Sequence, residues 1–210
     1  SLKIATNLKI AGIQAKLLGG SSTEAEAAAK GLVEEFGSLD VLTTSTASGV
    51  GSLTAQFGIG GANAAKLLKQ LSAINGESIE TNINTLETVG NLARANRVAP
   101  ALVLNDLAEN TETFAKFAGE GGDELAKAAI EARKLGLNLA TVDKVAESLL
   151  DFETSIEKQL EAQVLLGRSL NLDRARQLAL SGDLEGVLAE VKNQVGGAAE
   201  FAKLDVIQRK

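Results

Sequence analysis

Residues 141–167 read TVDKVAESLLDFETSIEKQLEAQVLLG, and this stretch decides the expected fold. Seven apolar residues recur in it at steps of three and four, the spacing that places side chains on one face of an α-helix. This packing stripe consists of Val142, Val145, Leu149, Phe152, Ile156, Leu160 and Val164. Thr141 suits an N-cap, Asp143 puts a carboxylate in the first turn, and Gly167 suits a left-handed C-terminal residue. We predict one long helix over about residues 142–166, with the stripe facing other helices.

The spacing within the stripe also indicates how this helix packs. From Val142 to Ile156 the steps run three, four, three, four, and they then lengthen to four and four, so the stripe drifts round the helix. Such a drift favours bundle packing over a long dimeric coiled coil. Other segments carry helix start and stop signals, and none alternates with period two as a strand does. We predict an all-α chain of about nine to eleven helices, either a multi-helix bundle or an extended helical array, with no significant sheet.

The composition limits the chemistry that the chain can perform. Its 210 residues include no Cys, His, Met, Trp or Tyr. A metal-thiolate site, a Ser/His triad and a Cys nucleophile are therefore excluded. The net charge of −6 argues against nucleic-acid binding, which favours a basic stripe. We predict no enzymatic activity, no cofactor and no metal.

The same composition favours association with other chains. Only six residues are aromatic, all of them Phe, and much of the 45% hydrophobic content is Ala. Burying Ala removes far less apolar surface from water than burying a ring does, so the core of one chain is thin. We therefore predict a homo-oligomer.

Glycines and changes of charge divide the chain into three predicted regions. Residues 1–40 are expected to form a helical hairpin, in which the amphipathic stretch 2–18, LKIATNLKIAGIQAKLL, has a basic polar face. Its second helix starts at a capping box over residues 21–24 and ends at Gly37. Residues 41–65 form an uncharged connector rich in Gly, Ser and Thr, and residues 66–210 form a longer helical region.

Three interpretations fit the uncharged stretch 41–65, VLTTSTASGVGSLTAQFGIGGANAA. It is a flexible or loosely helical connector, because Gly, Ser and Thr weaken helices and supply turns. Alternatively it is a buried helix that packs through small residues, or a segment that inserts into a membrane. The predicted division into three regions treats residues 41–65 as a connector.

Two short motifs invite a chemical interpretation. Residues 58–63, GIGGAN, suggest a phosphate loop, but the third glycine of that motif falls on Asn63 and no strand precedes it. Glu77 and Ser78 resemble the start of the catalytic motif of lytic transglycosylases, although the residues that should follow are absent. Ser78 as the N-cap of its helix explains the same pair.

The polar side of the central helix and the segment after it differ in charge. Asp143, Glu147 and Asp151 begin a polar side that continues to Glu161, whereas arginines at positions 168, 174 and 176 follow the helix. An antiparallel return of the chain would place these arginines beside the carboxylates. The chain begins with Ser1 and ends on a helical phase, so we expect it to continue past Lys210.

From Glu131 onward the sequence resembles the tail tape measure proteins of tailed bacteriophages. The motifs that carry this resemblance are SLLDFE at 148–153, LLGRSLNLDRAR at 165–176, LALSGDLEG at 178–186 and AEFAKLDVIQRK at 199–210. The resemblance covers roughly the last 80 residues. The first half of the chain shares with the family only a helical, Ala-rich character interrupted by glycines.

The resemblance implies a structural role in the virion. Several helical copies would fill the lumen of the tail tube, set its length during assembly in the host cytoplasm, contact the tail tip or baseplate hub, and leave ahead of the DNA. It also implies a trimer as the first choice of assembly and a hexamer as the second. The alternatives are a helical scaffold of unknown role, a membrane-contacting segment, or a peptidoglycan-cleaving segment.

Overall fold

The structure is a computed structural model that describes residues 22–38, 40–117 and 122–197, without the side chains of residues 22–25. Within these ranges the chain forms eleven α-helices and no strand, which confirms the all-α prediction. The helices are α1 Ser22–Phe36, α2 Thr44–Phe57, α3 Gly61–Asn75, α4 Ile79–Ala95, α5 Pro100–Glu109, α6 Thr111–Phe117, α7 Asp123–Lys134, α8 Leu139–Leu150, α9 Phe152–Leu166, α10 Asp173–Leu180 and α11 Leu184–Gln194. The predicted helix 2–18, the capping box at 21–24 and the helical phase after residue 197 lie outside the described side chains.

The chain divides into two compact units, residues 1–126 and 127–210, and the division falls inside α7. The first unit contains α1 to α6, and the second contains α8 to α11. The sequence predicted boundaries near residues 40 and 65. Neither coincides with this division, because the helices on either side of each boundary pack together within the first unit. No helix in the described ranges has the length and apolar character needed to cross a membrane.

Helix α3 is the centre of the first unit, where it contacts α1, α2, α4, α5 and α6. Its closest neighbour is α1, and two glycines allow the approach. A Cβ atom added at Gly61 would lie 2.7 Å from the Cα of Ala28, and one added at Gly31 would lie 3.0 Å from the Cα of Ala62. Backbone atoms cannot move aside as a flexible side chain can, so this crossing requires glycine at position 61.

The stretch predicted as a connector contains a regular helix, so that interpretation is wrong. Thr43 and Thr46 form a reciprocal capping box at the start of α2, and Gly58 ends the helix with a left-handed φ of 72°. One face of α2, which includes Val50 and Leu53, is buried in the first unit. The uncharged composition therefore reflects a buried helix, the second of the three interpretations.

Small residues and bonded hydroxyls make that burial favourable. Cβ atoms added at Gly49 and at Gly90 of α4 would lie 2.4 Å from the Ile83 side chain and 2.7 Å from the Phe57 ring. The glycines therefore let α2 and α4 approach closely. The buried hydroxyl of Thr54 donates to the Val50 carbonyl 3.1 Å away, so it enters the core with its hydrogen bond made.

The second unit is organised around α8, which contacts α9, α10 and α11. Leu139, Val142 and Ala146 are fully buried, and Leu149 is nearly so. Helix α8 begins one turn earlier than predicted, because the Asn138 side chain rather than Thr141 is its N-cap and accepts the Thr141 N–H at 2.8 Å.

The predicted long central helix is wrong, because the chain breaks at Asp151. The backbone of Asp151, with φ −80° and ψ 87°, ends α8 and begins α9. Its carboxylate accepts the Thr154 N–H at 3.3 Å, as an N-cap does. The apolar stripe runs through the break, which explains why periodicity alone did not reveal it. The longest helix of the described ranges is α4, with 17 residues.

Three helix pairs, α4–α5, α7–α8 and α10–α11, are joined by the same turn. In each, the last residues form the pair of backbone hydrogen bonds of a Schellman motif, such as Val98 N–H to Ala93 C=O at 2.9 Å. The left-handed position is held by Gly136 and Gly182 in two of them, but by Arg97, with φ 61°, in the first. The second unit thus repeats one helix-turn-helix geometry twice.

Candidate interaction surface

The most exposed apolar feature of the second unit is a row of four side chains on α9. The exposed fraction rises along it, from 46% at Phe152 to 50% at Ile156, 58% at Leu160 and 83% at Val164. We call these four residues the α9 row. They form the second half of the predicted packing stripe.

Helix geometry explains why exposure increases along the α9 row. Each step of four residues turns through about 400°, so successive members of the row shift by roughly 40° round the helix. The inner side of α9 carries Ser155 and Gln159, and the row moves away from that side toward solvent. The drift predicted from the sequence is therefore present, and its consequence is exposure.

The predicted stripe thus divides at Asp151. Val142 and Leu149 lie in the core of the second unit, and Val145 is partly buried. Within the described residues, no other helix covers the four members on α9, whose exposed fractions are 46–83%. Contact of these four with other copies stays a prediction.

A buried arginine holds α9 in place through its inner side. Arg176 of α10 is only 3% exposed, and its Nε donates to Ser155 Oγ at 2.9 Å. Its two terminal nitrogens donate to Gln159 Oε1 at 2.8 Å and to Asp173 Oδ1 at 2.9 Å. Because a buried guanidinium must have its donors satisfied, this network orients α9 against α10.

The turn between α9 and α10 joins the same network. Gln159 Nε2 donates to the Leu170 carbonyl at 2.8 Å, and Gln159 Oε1 accepts the Leu172 N–H at 3.3 Å. The inner side of α9 is therefore attached through polar bonds. The apolar row is not needed for that attachment, and it is left facing outward.

The arginines after α9 do not pair as the charge pattern predicted. Arg174 lies 3.8 Å from Glu190 of α11, and Arg176 pairs with Asp173 of its own helix. Sequence reasoning missed Ser155 and Gln159 as partners of Arg176. The only available signal was their spacing of four, which places both on the polar inner side of α9.

A row of carboxylates flanks the α9 row. Glu153, Glu157 and Glu161 recur at steps of four and are all exposed. We call them the acidic edge. Lys158 lies opposite the α9 row, one turn from Glu161. The outer surface of α9 therefore combines an apolar row with negative charge along one border.

A groove of about 580 Å³ lies on the inner border of the same helix. Leu149, Ala162, Leu166 and Leu172 supply its apolar wall, and Lys158 and Gln159 are among its polar residues. The hydroxyls of its two serines are already bonded, because Ser155 accepts from Arg176 Nε and Ser148 donates to the Val145 carbonyl. In the described ranges no three His, Cys, Asp or Glu side chains converge as they would to hold a metal ion.

The two chemically suggestive motifs have structural roles. Gly58 ends α2, Gly60 precedes α3 as its N-cap, and Gly61 is pressed against α1, so this loop is shaped by packing. Glu77 is exposed, and Ser78 is the N-cap of α4, as predicted.

Comparison of the chain with protein-family models, with curated proteins and with solved structures found no match. We therefore interpret the role of the outer surface of α9 from its own exposed side chains. An exposed row of large apolar side chains with a charged border is typical of a protein-protein contact.

Proposed function

We propose that this chain is a structural component of a bacteriophage tail. It acts as a segment of a tape measure protein that lies in the tail tube lumen or at the tip hub, sets tail length during assembly, and is released at DNA ejection. The observation that carries the proposal is that the residues resembling such proteins, 131–210, include the exposed α9 row. A role inside a tube requires contact surface rather than catalytic chemistry.

The motifs of the resemblance coincide with the features that present this surface. SLLDFE, residues 148–153, spans the break at Asp151 that starts α9. LLGRSLNLDRAR, residues 165–176, contains the turn bonded by Gln159 and ends at Arg176. These residues support the proposal because they set the orientation of α9 relative to α10.

The proposal includes self-association, with a trimer as the first choice and a hexamer as the second. The core of the chain is built largely from Ala and Leu, and it leaves the α9 row uncovered. Copies arranged round a symmetry axis would bury this surface. The other partners would be the tail tube and tip hub proteins, and no cofactor or nucleic acid is required.

Localisation and tail length test the proposal directly. Tails purified from a phage that encodes the chain should contain it by mass spectrometry. In-frame removal of helical segments should shorten the tail by up to about 1.5 Å for each residue removed. The matched control is Glu77→Gln, which keeps the chain length and should keep the tail length. A folded monomer that is absent from every tail would overturn the proposal.

A further inference from the structure

The chain contains a segment whose charge is opposite to that of the acidic edge. Residues 1–23 include Lys3, Lys9 and Lys16 and no Asp or Glu. The helical spacing puts Leu2, Ile10, Ile13 and Leu17 on one side, with Lys9 and Lys16 on one border of that side and Lys3 on the other. Residues 2–18 lie outside the described residues, so this statement rests on their sequence pattern.

We propose that residues 2–18 of one copy lie along α9 of a neighbouring copy. Their apolar side covers the α9 row, and Lys9 and Lys16 face the acidic edge of Glu153, Glu157 and Glu161. This inference rests on the self-association in the proposed function, and it names the two surfaces that meet.

The dimensions of the two surfaces match. Helix α9 has 15 residues, about 22 Å, and the 17 residues 2–18 would span about 25 Å as a helix. Lys9 and Lys16 are seven residues apart, about 10 Å of helix, and Glu153 and Glu161 are eight apart, about 12 Å. Two lysines can therefore meet the two ends of the acidic edge at once.

Charge favours this occupant over a second α9. Two α9 helices that met antiparallel through their rows would bring two acidic edges together, and like charges in an interface oppose association. A basic segment removes that repulsion and replaces it with attraction. None of the three carboxylates of the acidic edge forms an ion pair within the described ranges, where Arg174 and Lys134 are paired with other carboxylates.

The contact joins two different surfaces, so it is heterologous. Such a head-to-tail contact closes into a ring when the rotation between copies allows it, and otherwise continues as a filament. Each copy would use its basic segment on one neighbour and its α9 on the other. A closed trimer or hexamer is compatible with this arrangement.

Charge reversal in the full chain tests the inference. One variant carries Lys3→Glu, Lys9→Glu and Lys16→Glu, and a second carries Glu153→Lys, Glu157→Lys and Glu161→Lys. The mass in solution is measured by light scattering at low salt. Each variant should weaken self-association roughly 100-fold, because the attraction at the acidic edge becomes repulsion. Salt should reduce the effect, because the charges are exposed.

Recombining the reversals identifies the pairing. A chain with all six substitutions should regain the wild-type mass, because the signs are complementary again. An equimolar mixture of the two triple variants should also associate, since each basic surface then finds an acidic one on the other chain. The control variant Glu26→Lys, Glu77→Lys and Glu109→Lys has the same net charge as the second variant and reverses exposed carboxylates of the first unit. It should keep the wild-type mass.

A variant that changes no charge tests the apolar half of the contact. Leu160→Ser with Val164→Ser removes two exposed members of the α9 row, and it should lower association while the circular dichroism spectrum stays unchanged. A mass that is insensitive to both triple reversals overturns this inference, and the proposed function then stands or falls on tail localisation. A wild-type chain that is monomeric at every concentration overturns the inference as well.

Discussion

Arg97 and Gly136 hold the same backbone position at the ends of two different helices. Arg97 closes α4 with a φ of 61°, and Gly136 closes α7 with a φ of 75°. Both follow the hydrogen-bond pattern of the Schellman motif. This left-handed conformation favours glycine, so Arg97 stores backbone strain in an otherwise regular turn.

Arg97→Gly is therefore expected to stabilise the protein. Relief of the left-handed strain gains about 1–2 kcal/mol, and the added chain entropy of glycine costs about 0.5–1 kcal/mol, which leaves a net gain of up to about 1.5 kcal/mol. Urea unfolding measures the difference. Gly136→Ala, where an added Cβ meets no atom within 4 Å, should lose about 1 kcal/mol through the backbone alone. A loss of stability in Arg97→Gly would contradict this account.

Gly61→Ala should separate α3 from α1. The added Cβ would lie 2.7 Å from the Ala28 backbone, and overpacking of this kind costs about 1–3 kcal/mol. The neighbouring Gly60→Ser is the control, because a Cβ at Gly60 meets nothing within 4 Å and Ser is a favourable N-cap. Equal thermal stability of the two variants would show that the helices are not in close contact.

Ser155→Ala should weaken the attachment of α9 to α10. It removes the acceptor of the buried Arg176 Nε–H, and a hydrogen bond to a charged group is worth about 1.5–3 kcal/mol. Ser148→Ala is the matched control, because that hydroxyl is exposed and bonds within its own helix, so the change should stay within about 0.5 kcal/mol. A double-mutant cycle with Arg176→Met should show coupling, and additive effects would rule out the network.

Asp151 should make the start of α9 sensitive to acid. Hydrogen bonds from the hydroxyl and the backbone N–H of Thr154 hold the pKa of this carboxyl below its ordinary value of 3.8. A lowered pKa in the folded state contributes stability that is present above pH 3.8 and is lost as the pH falls through the folded-state pKa. Asp151→Asn keeps a capping side chain without a charge, so its stability relative to wild type should rise as the pH falls from 5 to 2.

Asp151→Ala provides the other half of that test. It should lower the urea midpoint at pH 7, because α9 loses its N-cap. If the stability difference between wild type and Asp151→Asn were constant across the acid range, the carboxylate would not be the group responsible.

The two halves of the packing stripe should respond differently to truncation. Val142 is fully buried, so Val142→Ala should cost about 2 kcal/mol. Val164 is 83% exposed, so Val164→Ala should change the free energy of unfolding by less than about 0.5 kcal/mol. The measurement uses dilute protein, where self-association does not contribute. Equal losses at the two positions would mean that α9 is covered within one chain.

Most helix ends followed from local chemistry. Ser78 caps α4 and Gly167 ends α9, as predicted, and Pro100 occupies the first turn of α5. These signals are readable because a cap bonds to backbone groups within about four residues. The all-α class followed in the same way from helical spacing and from the absence of alternating stretches.

Long-range packing settled what local signals left open. Asp151 is compatible with the polar side of one long helix and also with an N-cap between two helices. The apolar stripe continues past it in both arrangements. The composition of residues 41–65 is compatible with a connector and with a buried helix. The buried helix forms because Gly49 packs against Ile83 and Phe57 packs against Gly90, contacts between segments that are distant in sequence.

The outer surface of α9 shows the same limit most clearly. Periodicity established that Phe152, Ile156, Leu160 and Val164 share one side of a helix, because that depends only on 3.6 residues per turn. Which way that side points depends on Arg176, which is distant along the chain and bonds Ser155 and Gln159 inward. A side chain's neighbours in sequence set its position on a helix, but its burial depends on contacts that form only when the helices pack.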